Sequence, residues 1–123
     1  MRDLALIFAF IEVESNGNPK AFANDSNGGS YGWTQIDLKT AKDRGYSGDA
    51  VGLYNIHTNI EYWCKITDWI TADLIKHGIM SVENLAAAYN SGLSHIVNGG
   101  TDKPYSDKIL VAYDVWKLIL GEQ

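Results

Sequence analysis

Apolar and polar positions fall along the chain in blocks, and most of the blocks carry a helical period. Residues 3–15 are apolar almost all round on a 100°-per-residue wheel, with Asp3 where a carboxylate suits the positive end of a helix dipole. That pattern predicts a central helix. A polar stretch follows, from Asn16-Gly17-Asn18-Pro19 to about Gly32 and including Asn27-Gly28-Gly29-Ser30. Its turn-forming residues predict an ordered loop or a small β excursion. Residues 37–45 predict a short helix stopped by Gly45, and residues 58–76 a long one terminated at Gly78. Ser81-Val82-Glu83-Asn84 is a helix start, leading into residues 85–90 and a stop at Gly92. Residues 94–97 add a turn, and residues 105–120 predict a last helix ending at Gly121. Helix upon helix with one long polar loop indicates a mainly α, or α+β, fold. A length of 123 residues is enough for one domain with its own core.

Composition narrows the picture. An apolar fraction of 46% is far from that of a disordered chain. The net charge of −5, with no run among the ten basic residues, excludes nucleic acid as the main ligand. The single Cys64 forms no internal disulfide, so no oxidising compartment is required, and an inert buried thiol is expected. Residues 4–11 are too short to cross a bilayer and lack a small-residue cleavage site, so neither membrane insertion nor an export signal is expected. His57, His77 and His95 have no metal-ligand spacing, and no metal or cofactor is expected.

The first helix offers two candidate acids. Glu14 falls between Phe10 on one side and Ile7 and Ile11 on the other, at the negative end of the helix. A carboxyl held there has its charged form disfavoured, as a general acid requires. Glu12 falls beside Ala5 and Ala9, a small-residue sector that is either solvent-facing or closely packed.

Five further segments stand in order: Glu14-Ser15, Tyr31-Gly32-Trp33-Thr34-Gln35-Ile36, Thr40-Ala41, Asn59-Ile60 and Ala88-Tyr89-Asn90-Ser91-Gly92. Their order and spacing resemble the soluble lytic transglycosylase catalytic domain and its relative, goose-type lysozyme, within the lysozyme superfamily. The resemblance runs from about Ile7 to Leu110. It implies a lysozyme-like fold and peptidoglycan glycan strands as substrate, with Glu14 as catalytic acid and base. It implies a substrate-binding set of Ser15, Tyr31, Gln35, Tyr89, Asn90 and Tyr105, with Tyr89 set against Glu14. Aromatic rings with polar tips, and amides that donate and accept, suit a sugar's apolar face and hydroxyl rim. Trp33-Thr34 departs from the family's usual Leu-Met pair. Trp33 is the one tryptophan expected to have a role beyond packing, which is assigned to Trp63, Trp69 and Trp116.

The resemblance leaves two chemistries open. A lytic transglycosylase uses Glu14 alone and leaves a 1,6-anhydromuramyl end; this is the favoured reading. An inverting goose-type lysozyme adds a second carboxylate, for which Asp25 and Asp37 are candidates, although an Asp in such a position is also a common turn or cap residue. A third reading, of another class, is a non-catalytic peptidoglycan-binding module. A monomer is expected, acting on the wall in the periplasm or outside the cell. Met1 standing just before the catalytic helix suggests a phage lysis protein or virion-associated lysin, with an excised domain of a larger secreted enzyme as the alternative.

Overall fold

The computed structural model describes residues 3–122. They form a mainly helical structure with one small sheet, in the order α1 (Leu4–Ser15), β1 (Phe22–Ala23), β2 (Ser30–Tyr31), β3 (Ile36–Asp37), α2 (Leu38–Asp43), a 3-10 helix (Ala50–Tyr54), α3 (Ile56–Lys76), α4 (Val82–Ser91), α5 (Leu93–Val97) and α6 (Lys103–Ile119). The chain divides into two compact units, one Phe10–Ile66 and the other the segment up to Ala9 together with that from Thr67 on.

In the Phe10–Ile66 unit the long polar stretch becomes an antiparallel sheet in the order β1-β2-β3, with Phe22 opposite Tyr31 and Ser30 opposite Asp37. Two-residue strands bury little surface, so polar side chains and aromatic rings fix them. Tyr31 packs between Phe22 and Tyr54, with ring centroids 5.3 and 5.5 Å away, and its hydroxyl donates to Gly28 O at 2.6 Å. Phe10 meets Trp63 edge-on at 5.3 Å, and both are fully buried. Cys64 is buried nearby along α3, as expected. The 3-10 helix was not evident in the chain's periodicity; Asp49 starts it by accepting from Gly52 N at 3.0 Å.

The other unit is held by packed helices. Ala5, Leu6 and Ala9 of α1 are buried, so the small-residue sector of that helix is closely packed, while Glu12 is exposed. Phe8 lies 4.9 Å from Trp116, and the Tyr113 hydroxyl donates to Asp3. That bond, with burial and the Asp3 charge, pushes the phenol up to about 12. Helix α4 packs on α5 and α6, and its own buried row is Leu85, Ala86, Ala87 and Ala88. Ser81 caps α4 as its sequence predicts, accepting from Asn84 N at 3.0 Å. Helix α6 begins at Lys103 and not at Tyr105, because Pro104 fits the first turn, where no N–H is needed. Trp69 is 39% exposed on α3, so part of it reaches the surface while the rest packs. Among the described residues no helix is long and apolar enough to cross a membrane.

Candidate active site

The end of α1 carries Glu14, half-buried, next to the buried Phe10 and Ile11. Asn16 ends the helix in the left-handed region at φ 52°, and Gly17 follows at φ 80°. Two bonds then tie this end to the turn that follows β2. The Ser15 hydroxyl lies 2.7 Å from Trp33 O and 3.0 Å from Ile11 O, and the Trp33 indole N–H donates to Gly17 O at 3.1 Å. Ser15 therefore spends its hydroxyl on backbone carbonyls, and Trp33 is a strut between the helix end and the turn.

The turn itself, Gly32 to Gln35, is irregular backbone with a buried polar support. Asn59 of α3, fully buried, accepts at Oδ1 from Thr34 N at 3.0 Å and Thr34 Oγ1 at 2.6 Å. Its Nδ2 donates to Tyr31 O at 2.9 Å and Leu53 O at 2.8 Å. Gly32 has φ 79°, and a Cβ there would stand 2.6 Å from Asn59 Nδ2 and 2.9 Å from Leu53 O. Only glycine satisfies both the dihedral and the close approach. Gln35, at φ 53°, is a non-glycine in the same left-handed region, and its Nε2 donates to Ala21 O and Gly32 O, each at 3.1 Å. Strain of this kind is kept where surrounding bonds over-determine it.

Asp25 and Asp37 stand side by side. Asp25 folds the loop before β2, accepting at Oδ1 from Asn27 N and Gly29 N and at Oδ2 from Ser30 Oγ, all at 2.8 Å. Asp37, opposite Ser30 in the sheet, caps α2 by accepting from Thr40 N at 2.9 Å and Thr40 Oγ1 at 2.6 Å. Burial pushes Asp25 upward, but the bonds from Ser30, Asn27 and Gly29 hold it below the usual carboxylate range. Burial raises Asp37, and the neighbouring Asp25 adds to the rise against the opposing Thr40 bonds. Both residues thus have turn and cap duties, and together they make a coupled pair with one member biased toward its protonated form.

Tyr89, Asn90 and Tyr105 belong to the other unit. Tyr89 is half-buried on α4, and Tyr105 is half-buried in the first turn of α6. Asn90 Nδ2 donates to Asp102 Oδ2 at 2.7 Å, and Ser91 Oγ donates to the same oxygen at 2.6 Å. The Ser91 and Asn90 bonds hold Asp102 below its ordinary value, with lesser help from the Tyr105 N–H and the His95 charge. With its amide nitrogen engaged, Asn90 presents Oδ1 as an acceptor.

The family model of the transglycosylase SLT domain matches residues 1–111. The chain belongs to that family. SLT-domain proteins are peptidoglycan-cleaving enzymes, and the match agrees with the resemblance carried by the five sequence segments. No curated protein and no solved structure matches the chain.

Within this SLT domain, two structural contributors escaped the sequence reading. Asn59 stood out only as part of an Asn-Ile pair, with no role attached. Asp102 was not singled out, although an Asp ahead of Lys-Pro is an N-cap signal and Gly99-Gly100-Thr101 before it marks a tight approach. Among the described residues no group of three or more His, Cys, Asp or Glu is placed to hold a metal ion.

Proposed function

We propose that this SLT domain cleaves the β-1,4 bond between N-acetylmuramic acid and N-acetylglucosamine, with Glu14 as both acid and base. The observation that carries the reading is the setting of Glu14: a half-buried carboxyl at the end of an apolar helix, joined by Ser15 and Trp33 to the Gln35 turn. A carboxyl in such surroundings suits proton donation near neutral pH.

The Glu14 carboxyl gives its proton to the bridging oxygen as the bond from the anomeric carbon to that oxygen breaks. The carbonyl oxygen of the sugar's own acetamido group bonds to the anomeric carbon as the leaving sugar departs, a substrate-assisted exception to the two-carboxylate arrangement. The Glu14 carboxylate then takes the proton of the 6-hydroxyl, whose oxygen displaces the acetamido oxygen. A 1,6-anhydro ring results, Glu14 is protonated again, and no water is consumed. Gln35 and Tyr31, in the same unit as Glu14, supply polar and aromatic groups for the acetamido and hydroxyl groups, and the substrate-binding roles of Tyr89, Asn90 and Tyr105 rest on the family resemblance.

The Asp25–Asp37 pair favours a second reading, inverting hydrolysis, in which one of these carboxylates activates a water. Mass spectrometry of fragments released from purified peptidoglycan separates the two. Products one water lighter than reducing muropeptides are expected, and their loss in Glu14→Gln by about 10²-fold or more. Reducing ends that disappear in Glu14→Gln would replace the transglycosylase with the hydrolase. Unchanged release by a folded Glu14→Gln would remove Glu14 from both, and no release by the wild type would leave a wall-binding module.

A further inference from the structure

Within the helical unit a groove of about 470 Å³ opens between α3 and α5, lined by Trp69, Asp73, Leu93, Ser94, Val97 and Asn98. None of these residues belongs to the candidate active site. Their spacing is regular. Trp69 and Asp73 are one turn apart on α3, Leu93 and Val97 one turn apart on α5, and Ser94 and Asn98 one turn apart beside them. The groove therefore has an aromatic wall, an aliphatic stripe and a polar row carrying a carboxylate, a hydroxyl and an amide.

That mixture matches a neutral sugar. A pyranose offers an apolar C–H face, which the 39% exposed Trp69 indole can stack against, and a rim of hydroxyl and acetamido groups, which donate to Asp73 and exchange bonds with Ser94 and Asn98. None of the lining residues is Lys or Arg, and Asp73 adds negative charge, so an anionic ligand is disfavoured. The Asp73 carboxylate keeps acceptor capacity, since the neighbouring His77 Nδ1 stands 3.5 Å from Oδ2 and lies nearer the Asp73 backbone oxygen, at 2.9 Å. The volume lies in the range of small-ligand sites, about 300–1,000 Å³.

We infer that this groove is a second glycan-binding site, with Trp69 as its stacking platform and Asp73, Ser94 and Asn98 as its hydrogen-bonding rim. The inference rests on peptidoglycan being the substrate, and it adds an attachment point on the wall apart from the residues that carry the chemistry. A chain that acts on an insoluble polymer while carrying net negative charge gains most from neutral sugar contacts of this sort.

The test uses binding, which needs no turnover. In a Glu14→Gln background, a β-1,4-linked N-acetylglucosamine hexamer is titrated and followed by NMR. The Trp69 indole N–H and the Ser94, Val97 and Asn98 amides should shift together. Trp69→Ala should abolish the α5 shifts and weaken co-sedimentation with purified peptidoglycan by about three- to tenfold, and Trp69→Phe should restore part of it. With Glu14 intact, Trp69→Ala should cleave short soluble glycans within about twofold of the wild-type rate. Asn98→Ala, at an exposed helix end, gives the same readout if Trp69→Ala does not fold. Shifts confined to the surroundings of Gln35, or co-sedimentation unchanged in both variants, would overturn the second site. Absence of cleavage by the wild-type chain would instead undo the proposed reaction and leave the binding result standing.

Discussion

The two units solve the placement of polar residues in opposite ways. In Phe10–Ile66 the turn that follows β2 is irregular, and side chains hold it: buried Asn59 serves four partner atoms, and the Gln35 Nε2 and the Ser15 hydroxyl donate to carbonyls. In the helical unit the backbone satisfies itself, the interior is apolar apart from the buried hydroxyls of Thr67 and Ser106, and the polar cluster of Asn90, Ser91 and Asp102 sits at the exposed ends of α4 and α6. An irregular segment needs partners for each buried N–H and C=O, whereas a helix supplies them internally. Substitutions of the supporting polar residues, Glu14 and the sugar contacts apart, should therefore be felt as lost stability in the first unit, and substitutions in the Asn90 cluster as altered substrate handling in the second.

Asn59→Ala is the sharpest way to break that contrast. It leaves Thr34 N and Oγ1, Tyr31 O and Leu53 O without their buried partner, each such group costing about 1–3 kcal/mol. A loss of about 3 kcal/mol or more is expected in denaturant unfolding, after allowance for water entering the space. Asn59→Asp should be no better, because a carboxylate cannot donate to Tyr31 O and Leu53 O. A loss below about 1 kcal/mol would mean that the turn is held by its own backbone after all.

Asp102→Ala probes the other side at a smaller scale. The Asn90 amide and the Ser91 hydroxyl lose their acceptor, but both are exposed and can turn to water, so stability should change by less than about 1 kcal/mol. If Asn90 contacts the glycan, its freed amide should raise KM several-fold with kcat little changed, and Asp102→Asn, which keeps an acceptor oxygen, should recover part of the loss. The contribution of Asp102 to stability is present above its unfolded value of 3.8 and fades as pH falls through its lower folded value. An unchanged KM would detach Asp102 from the site.

The same division decides what could be read from the chain. Helices announced themselves through periodicity and caps: Ser81 before α4, Gly78 after α3 and the apolar run of α1 all lie where the pattern puts them. The small β excursion was legible from its Asn and Gly residues, but its register was not. Pairing Ser30 with Asp37 goes with the Asp25 bond to Ser30 and with the packing of Tyr31 against Phe22 and the distant Tyr54, none of which a turn signal shows. Glu14 and Gln35 were legible as candidates through a family pattern. The support beneath them was not, because Asn59 is 25 residues from Thr34, and nothing local marks an asparagine as a four-bond bracket. The 39% exposure of Trp69 was not legible for a similar reason, since a wheel shows which face a residue takes but not how far a neighbouring helix covers it.

Asp37→Asn should have the smallest effect on stability, and it tests whether polar residues of the first unit are purely structural. Asparagine is as good an N-cap as aspartate, so the bonds from Thr40 N and Oγ1 to the cap should persist. The amide can also donate to Asp25, replacing the proton that the two carboxyls would otherwise share. Because the folded state raises Asp37 above 3.8, its contribution is fully present below pH 3.8 and is lost as pH rises through the higher folded value. An uncharged side chain removes that loss. Asp37→Asn should therefore match or exceed the wild type by up to about 0.5 kcal/mol at neutral pH, an advantage that shrinks under acid. Urea unfolding at both pH values measures it. Activity then separates the chemistries. A transglycosylase that relies on Glu14 alone should keep its rate within about twofold, whereas a hydrolase that uses Asp37 to activate water should lose about 10²-fold or more. A stable but inactive Asp37→Asn would show that a helix cap in this unit also carries chemistry, and the contrast between the two units would no longer hold at that residue.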